Sequence, residues 1–329
     1  MVMVIKMASA VCETEEEVKA EVKPESEDIN LKKMFMASKD YNAIAKQIKE
    51  TANHDIKKRL NIGFIDEDDI LKPLLSSINL KHNICLRGAT GTGKTYLIKE
   101  LARALNKKLI ILNMTTNTTI EEIKGKWLIT GKLETGSSGS SQIKWLNGAV
   151  TDALQNGYWL LIEESNFMNE DLASVMYSVL DDRKQIILDE KEREEINAHE
   201  DFRVFLTMNY GYKGTTKLND AMQNRINAFF DINYLSAKNE AKLLNARTGI
   251  SLEIASKVVA FANAVRTISA EENLADLSTR ILIKWCEFIV SGYSVYKSAE
   301  YTIIPLLAYS REDKKKIIDL LKLSFGEAQ

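Results

Sequence analysis

Residues 83–95 read NICLRGATGTGKT. A short apolar run ends at Arg87, Gly88 and Gly93 bracket four residues, and Lys94 and Thr95 follow at once. This is the GxxxxGK[ST] pattern. It constrains the fold because the loop needs a strand to deliver it and a helix to leave it. ICLRG has the composition of the strand and TYLIKELARAL that of the helix. Glycines let successive backbone N–H groups turn inward around phosphate oxygens, and the helix N-terminus adds partial positive charge. The candidate ligand-contacting residues are Gly88, Thr90, Gly91, Thr92, Gly93, Lys94, Thr95 and Tyr96. Lys94 would reach the β- and γ-phosphates of a nucleoside triphosphate, and the Thr95 hydroxyl would hold Mg²⁺. With glycine at about 7% of residues, the four fixed positions arise by chance in a chain this long on the order of one time in a hundred.

The surrounding sequence alternates strand and helix signals. LIILN (109–113) reads as a second strand with a Thr/Asn-rich end, and GKLETGSSGSSQ (131–142) as a flexible Gly/Ser insertion. AVTDALQNG is a helix closed by glycine, YWLLIEE (158–164) a buried strand, NEDLASVMYSVLDD a helix and FRVFLTMN (202–209) another strand. That alternation predicts an α/β fold, a mainly parallel sheet covered by helices. No strand signal follows about residue 233. The last hundred residues read as helices, in NEAKLLNARTG, LEIASKVVAFANAVRTI, TRILIKWCEFIVSG and REDKKKIIDLLKL. The expected domains are a disordered tail over 1–30, a helical extension over 31–60, an αβα domain over 61–233 and an all-helical domain over 234–329.

Carboxylates, an amide and two arginines follow in an order that suits phosphoryl chemistry. YWLLIEES ends in Glu163 and Glu164. An acid at the end of such a strand can hold Mg²⁺, and the next can polarise an attacking water. Glu163 is thus the candidate metal residue with Thr95, and Glu164 the candidate for water activation. Asn209, at the end of FLTMN, can hold that water or simply form a turn. Arg225 can reach a neighbouring subunit's γ-phosphate, or pair with a nearby acid. Arg280, at the start of a helix, can sense phosphate, or sit on the helix surface.

The ordered segments GATGTGKT, LLIEESNFMNEDL, FRVFLTMN, GTTKLNDAMQNRI and LSTRILIKW resemble an AAA+ ATPase of the MoxR-like group, nearest in pattern to the CbbQ/NorQ and GvpN types. The resemblance spans roughly residues 60–325. It implies a P-loop αβα domain with a helical lid, ATP as ligand, and a homo-oligomeric ring, typically a hexamer, with ATP between subunits. It also implies that Arg225 acts in trans as a finger and that Arg280 is a lid sensor. Two insertions belong to the group, and GKWLITGKLETGSSGSSQIKWLNG and RKQIILDEKEREEINAHEDFRV fit them, the second as a β-hairpin. Members usually remodel protein clients, often with an adaptor bearing a von Willebrand factor A domain. The chain departs from the group in having Glu163 in place of Asp and about sixty extra N-terminal residues.

Bulk properties narrow the class. Lys+Arg 44 against Asp+Glu 46 leaves a net charge of −2, which leans away from a broad nucleic-acid surface. No run of eighteen apolar residues predicts a membrane span. Three cysteines (Cys12, Cys85, Cys286) and three isolated histidines (His54, His82, His199) show no metal or disulfide spacing, as expected of a cytoplasmic chain. The leading reading is an ATPase that remodels a protein partner. A nucleic-acid-translocating motor of restriction-system type and a slow nucleotide-gated scaffold are the alternatives.

Overall fold

The computed structural model describes residues 63–130, 142–209, 218–272, 277–308 and 310–326. These residues belong to one compact unit. The tail expected over 1–30, the helical extension expected over 31–60 and residues 131–141 of the Gly/Ser stretch lie outside them.

Five parallel strands form the central sheet in the order β2 (Leu109–Asn113), β5 (Trp159–Glu163), β8 (Arg203–Asn209), β1 (Ile84–Gly88) and β9 (Ala228–Asp231). The second to fourth are continuous apolar runs because helices cover both sheet faces. Trp159, Leu160, Leu161 and Ile162 of β5 are all fully buried. Helix α2 (Lys94–Ala104) leaves β1 and buries Leu97, Ile98, Leu101 and Ala102, a helical stripe that makes its direction from the loop a packing requirement. Helices α1 (Leu71–Asn79), α3 (Ile120–Lys124), α4 (Ala149–Asn156) and α5 (Glu170–Leu180) complete the layers. The α5 start is set by Asn169, whose side chain accepts from the Leu172 N–H at 2.9 Å.

Two antiparallel hairpins interrupt this frame. The first, β3 (Gly125–Thr130) with β4 (Gln142–Asn147), lies between α3 and α4. The second, β6 (Gln185–Leu188) with β7 (Glu194–Asn197), lies between α5 and β8. The sequence expectation of an unstructured insertion through residue 142 therefore needs correction, since Gln142 pairs with Thr130. Trp127 faces Trp145 across the first hairpin, edge to face with ring centroids 5.3 Å apart. The hairpins also touch each other. The Trp127 indole N–H donates to the Glu190 carbonyl at 2.9 Å, and Lys124, at the end of α3 just before the first hairpin, pairs with Asp189 of the second at 3.1 Å.

After the short helix α6 (Asp220–Gln223) and β9, every described element is helical: α7 (Ala237–Thr248), α8 (Leu252–Glu272), α9 (Thr279–Val290), α10 (Val295–Thr302), α11 (Ile304–Leu307) and α12 (Arg311–Phe325). They enclose a second core centred on the fully buried Trp285, flanked by Phe261 and Phe325 at 5.4 and 5.7 Å. The sequence patterns missed α10 and α11, which are short. No helix among the described residues is long and apolar enough to cross a membrane.

Candidate functional site

The loop between β1 and α2 opens into a cleft of about 710 Å³, large enough for a nucleotide-sized ligand. The sheet's carboxyl edge forms one wall and the C-terminal helices the other. Gly93 caps α2 in the left-handed region, with φ of 99°, where glycine carries no Cβ penalty. Lys94 is buried, and its Nζ donates to the Gly88 and Ala89 carbonyls at 3.0 and 2.7 Å. Burial pulls its pKa down from 10.5 to about 8; Glu164 opposes the fall and Arg280 adds to it. Arg280 is therefore electrostatically within reach of the loop, although it comes from α9.

The expected metal residues meet. The Thr95 hydroxyl donates to Glu163 Oε1 across the gap between α2 and the end of β5. A hydroxyl and a carboxylate are hard oxygen donors, the kind Mg²⁺ takes alongside phosphate oxygens and water. The donor set therefore fits that ion, with Glu in place of the shorter Asp.

Glu164 departs from the strand predicted to contain it. β5 stops at Glu163, and Glu164 takes φ 53° and ψ 44°. The left-handed turn carries its side chain out of strand register, and Glu164 lines the cleft beside Glu163. Such a conformation costs a non-glycine residue about 1–2 kcal/mol. Thr207 of β8 secures it: its hydroxyl accepts from the Glu164 N–H at 3.3 Å, and its carbonyl accepts from the Ser165 hydroxyl at 3.0 Å. Asn209, two residues further on, lies opposite Gly88 in the sheet register and also lines the cleft.

The cleft thus gathers Thr90, Gly91, Thr92, Gly93, Lys94, Thr95, Tyr96, Glu163, Glu164, Asn209 and Arg280. Arg225 is not among them. It follows α6, donates from Nη1 to the Ala221 carbonyl at 2.9 Å, and stacks 4.5 Å from the centroid of Tyr177. Asn83 holds the Arg225 carbonyl at 2.6 Å. Gly88 closes against the Ile232 carbonyl, 2.2 Å from where a Cβ would stand, so it shapes the loop from behind.

Sequence reasoning missed several residues of the cleft. Asn113 ends β2 in register with Glu163, and its Thr/Asn-rich context was a usable signal. Arg247 of α7 lies 5.3 Å over the Tyr96 ring, and Glu287 of α9 lines the same cleft. Thr207 and Tyr234 reach the site only through folding and carry no linear signal.

Two family models match the chain. The AAA domain (dynein-related subfamily) covers residues 83–226, and the CbbQ/NirQ/NorQ C-terminal region covers residues 240–323. Among similar curated proteins, an uncharacterized protein of Staphylococcus saprophyticus is 26% identical over 269 residues, 80% of this chain and 99% of its own. An uncharacterized protein of Staphylococcus aureus is 29% identical over 255 residues, 75% of this chain and 92% of its own. Among solved structures, two variants of RuvB from Thermotoga maritima align at TM-scores of 0.45 and 0.47. They are 13% and 14% identical, covering 86% and 81% of this chain and 75% and 73% of theirs.

Proposed function

The chain belongs to the AAA+ ATPases of MoxR-like type, with a C-terminal region of the CbbQ/NirQ/NorQ kind, and from that premise we propose that it hydrolyses Mg²⁺-ATP to remodel or activate a protein partner. The observation that carries the hydrolytic part is the meeting of the Thr95 hydroxyl with Glu163 while Glu164 turns out of the strand into the same cleft. The loop amides and Lys94 bind the phosphates, and Tyr96 contributes beside them. Thr95 and Glu163 would hold Mg²⁺, which supplies neutralisation of the β- and γ-phosphate oxygens. Glu164 takes a proton from the attacking water, Asn209 orients that water, and Arg280 meets the γ-phosphate from the helical side.

Arg225 acts in trans, on ATP bound to the next subunit of a homo-oligomeric, hexameric ring. Its place outside its own chain's cleft supports that role. Residues 61–233 then form the ATPase domain and 234–329 the lid. The client, or a von Willebrand factor A adaptor, would meet the assembled ring in the cytoplasm.

Phosphate release by Glu164→Gln tests the chemistry. A fall of about a hundredfold or more with ATP still bound is expected, and undiminished turnover removes Glu164 from the mechanism. Mass by sedimentation with ATP tests the ring, and a persistent monomer overturns it. ATPase stimulation by an adaptor with a von Willebrand factor A domain supports remodelling. Stimulation by DNA that is lost steeply with salt overturns it in favour of a nucleic-acid motor.

A further inference from the structure

A buried ion pair inside the helical region connects to both sides of the phosphate cleft. Glu240 of α7 is fully buried. Arg266 of α8 grips it in fork geometry, with Nη1 donating to Oε2 at 2.8 Å and Nη2 to Oε1 at 2.9 Å. Two further donors are used: Nε reaches the Leu277 carbonyl at 2.8 Å, and Nη1 reaches Asn263 Oδ1 at 2.9 Å. A pair this deep adds little net stability, because desolvation offsets its attraction. It does fix a planar guanidinium in one orientation.

Each end of this fixed group touches the site. On one side the Arg266 guanidinium lies 3.8 Å from the centroid of the Tyr234 ring, and the Tyr234 hydroxyl donates to the Thr90 carbonyl of the phosphate loop at 3.1 Å. Tyr234 stands in the link between β9 and α7. On the other side the Thr279 hydroxyl donates to Glu240 Oε1 at 2.7 Å. Thr279 is the first residue of α9, and Arg280 is the next. Ser278, just before them, closes on the loop: a Cβ on Gly91 would stand 2.5 Å from Ser278 Cβ. The contacts thus form a closed circuit from Thr90 through Tyr234, Arg266, Glu240, Thr279 and Ser278 to Gly91.

We propose that Tyr234 is a positioning residue, and that this circuit locks the phosphate loop and the Arg280 helix turn into one rigid unit, so that Arg280 addresses the γ-phosphate only while the circuit is closed. The inference rests on the assignment of Arg280 to the γ-phosphate made above. A nucleoside diphosphate lacks the group Arg280 would meet. The circuit should therefore set the preference for ATP over ADP rather than affinity for both.

The experiment measures ATP and ADP affinity of the full chain by equilibrium binding, which needs no turnover. Arg280→Ala should lower the ATP-to-ADP preference about tenfold, the scale of one charge-assisted hydrogen bond. Tyr234→Phe keeps the ring under Arg266 and removes the hydroxyl that bonds Thr90. Thr279→Val opens the circuit at its other end and keeps the side chain's shape. Each should lower the same preference about fivefold, the scale of one hydrogen bond, with ADP affinity held. Either variant combined with Arg280→Ala should lose nothing further.

If Tyr234→Phe weakens ATP and ADP equally, Tyr234 only touches the nucleotide and the inference is overturned. Full additivity with Arg280→Ala overturns it too. Preserved preference in Thr279→Val breaks the circuit at that point and has the same result. Failure of the hydrolytic reading would show separately, as tight ATP binding by the wild-type chain without phosphate release.

Discussion

Raising the pH should weaken nucleotide binding through Lys94 alone, by an amount the structure sets. Without nucleotide the buried ammonium has its pKa near 8 rather than 10.5. Bound phosphate charge favours the ammonium and returns the pKa to its ordinary range or above. Binding above pH 8 must therefore take up a proton, and affinity falls as pH rises through the free-state pKa. Below pH 8 the lysine is already charged and the effect vanishes. At about pH 9.5 only about one free site in thirty is charged, against about three in four at about pH 7.5, so Kd should rise about 25-fold, or about 2 kcal/mol. Folding runs the other way. Between pH 8 and 10.5 the unfolded chain binds the Lys94 proton and the folded chain does not, so Lys94 adds stability to the nucleotide-free fold as pH rises. Buried Lys184 does the same, while the buried thiols Cys85 and Cys286, pushed up to about 12, take stability away above pH 9. The Lys94 part is the difference between wild type and Lys94→Arg. A fluorescent-nucleotide titration and a denaturant midpoint, each taken across that range, read the two trends. Lys94→Arg serves as the control, because a guanidinium stays charged and its affinity profile should be flat. A wild-type Kd constant to within about threefold from pH 7.5 to 9.5 would refute the assignment of that buried charge to phosphate binding.

Three further outcomes are expected. Gly91→Ala places a Cβ 2.5 Å from Ser278 Cβ at a φ of 78°. It should lower stability by about 1–3 kcal/mol in a denaturant melt and weaken nucleotide binding at least about tenfold; a neutral result would show that the loop and α9 do not pack as described. Thr207→Val removes the acceptor for the Glu164 N–H and should cut kcat about threefold to tenfold with KM little changed, and an unaltered kcat would dismiss Thr207 from the site. Rings mixed from Arg225→Ala and Lys94→Ala subunits should recover part of the phosphate release that each variant lacks alone. Mixtures as inactive as their components would count against a finger acting between subunits.

The parts of the site legible in the sequence are those whose function depends on local geometry. A phosphate loop must be Gly-rich and must join a strand to a helix, so Gly88 to Thr95 announce themselves. Glu163 and Asn209 were visible because each ends a buried apolar run, and parallel strands bring such ends to one edge of the sheet. Glu164 was visible as a residue but not as a conformation, since nothing in EES indicates a left-handed turn. Tyr234, Arg266 and Glu240 were invisible for another reason. Their meeting depends on how α7 and α8 pack, and a charged residue in a helical pattern reads as a solvated face until its burial is known. The strands of the first hairpin were hidden by the composition between them: residues 131–141 read as a flexible Gly/Ser stretch, and that reading spread over Gln142.

The turn at Glu164 sets folding and chemistry against each other at a single position. Its backbone conformation suits glycine or asparagine, and a glycine there would relieve about 1 kcal/mol or more. The proposed reaction requires a carboxylate. A laboratory screen for heat resistance alone would therefore drift toward glycine at residue 164, and its most robust winners would be the ones unable to turn over ATP.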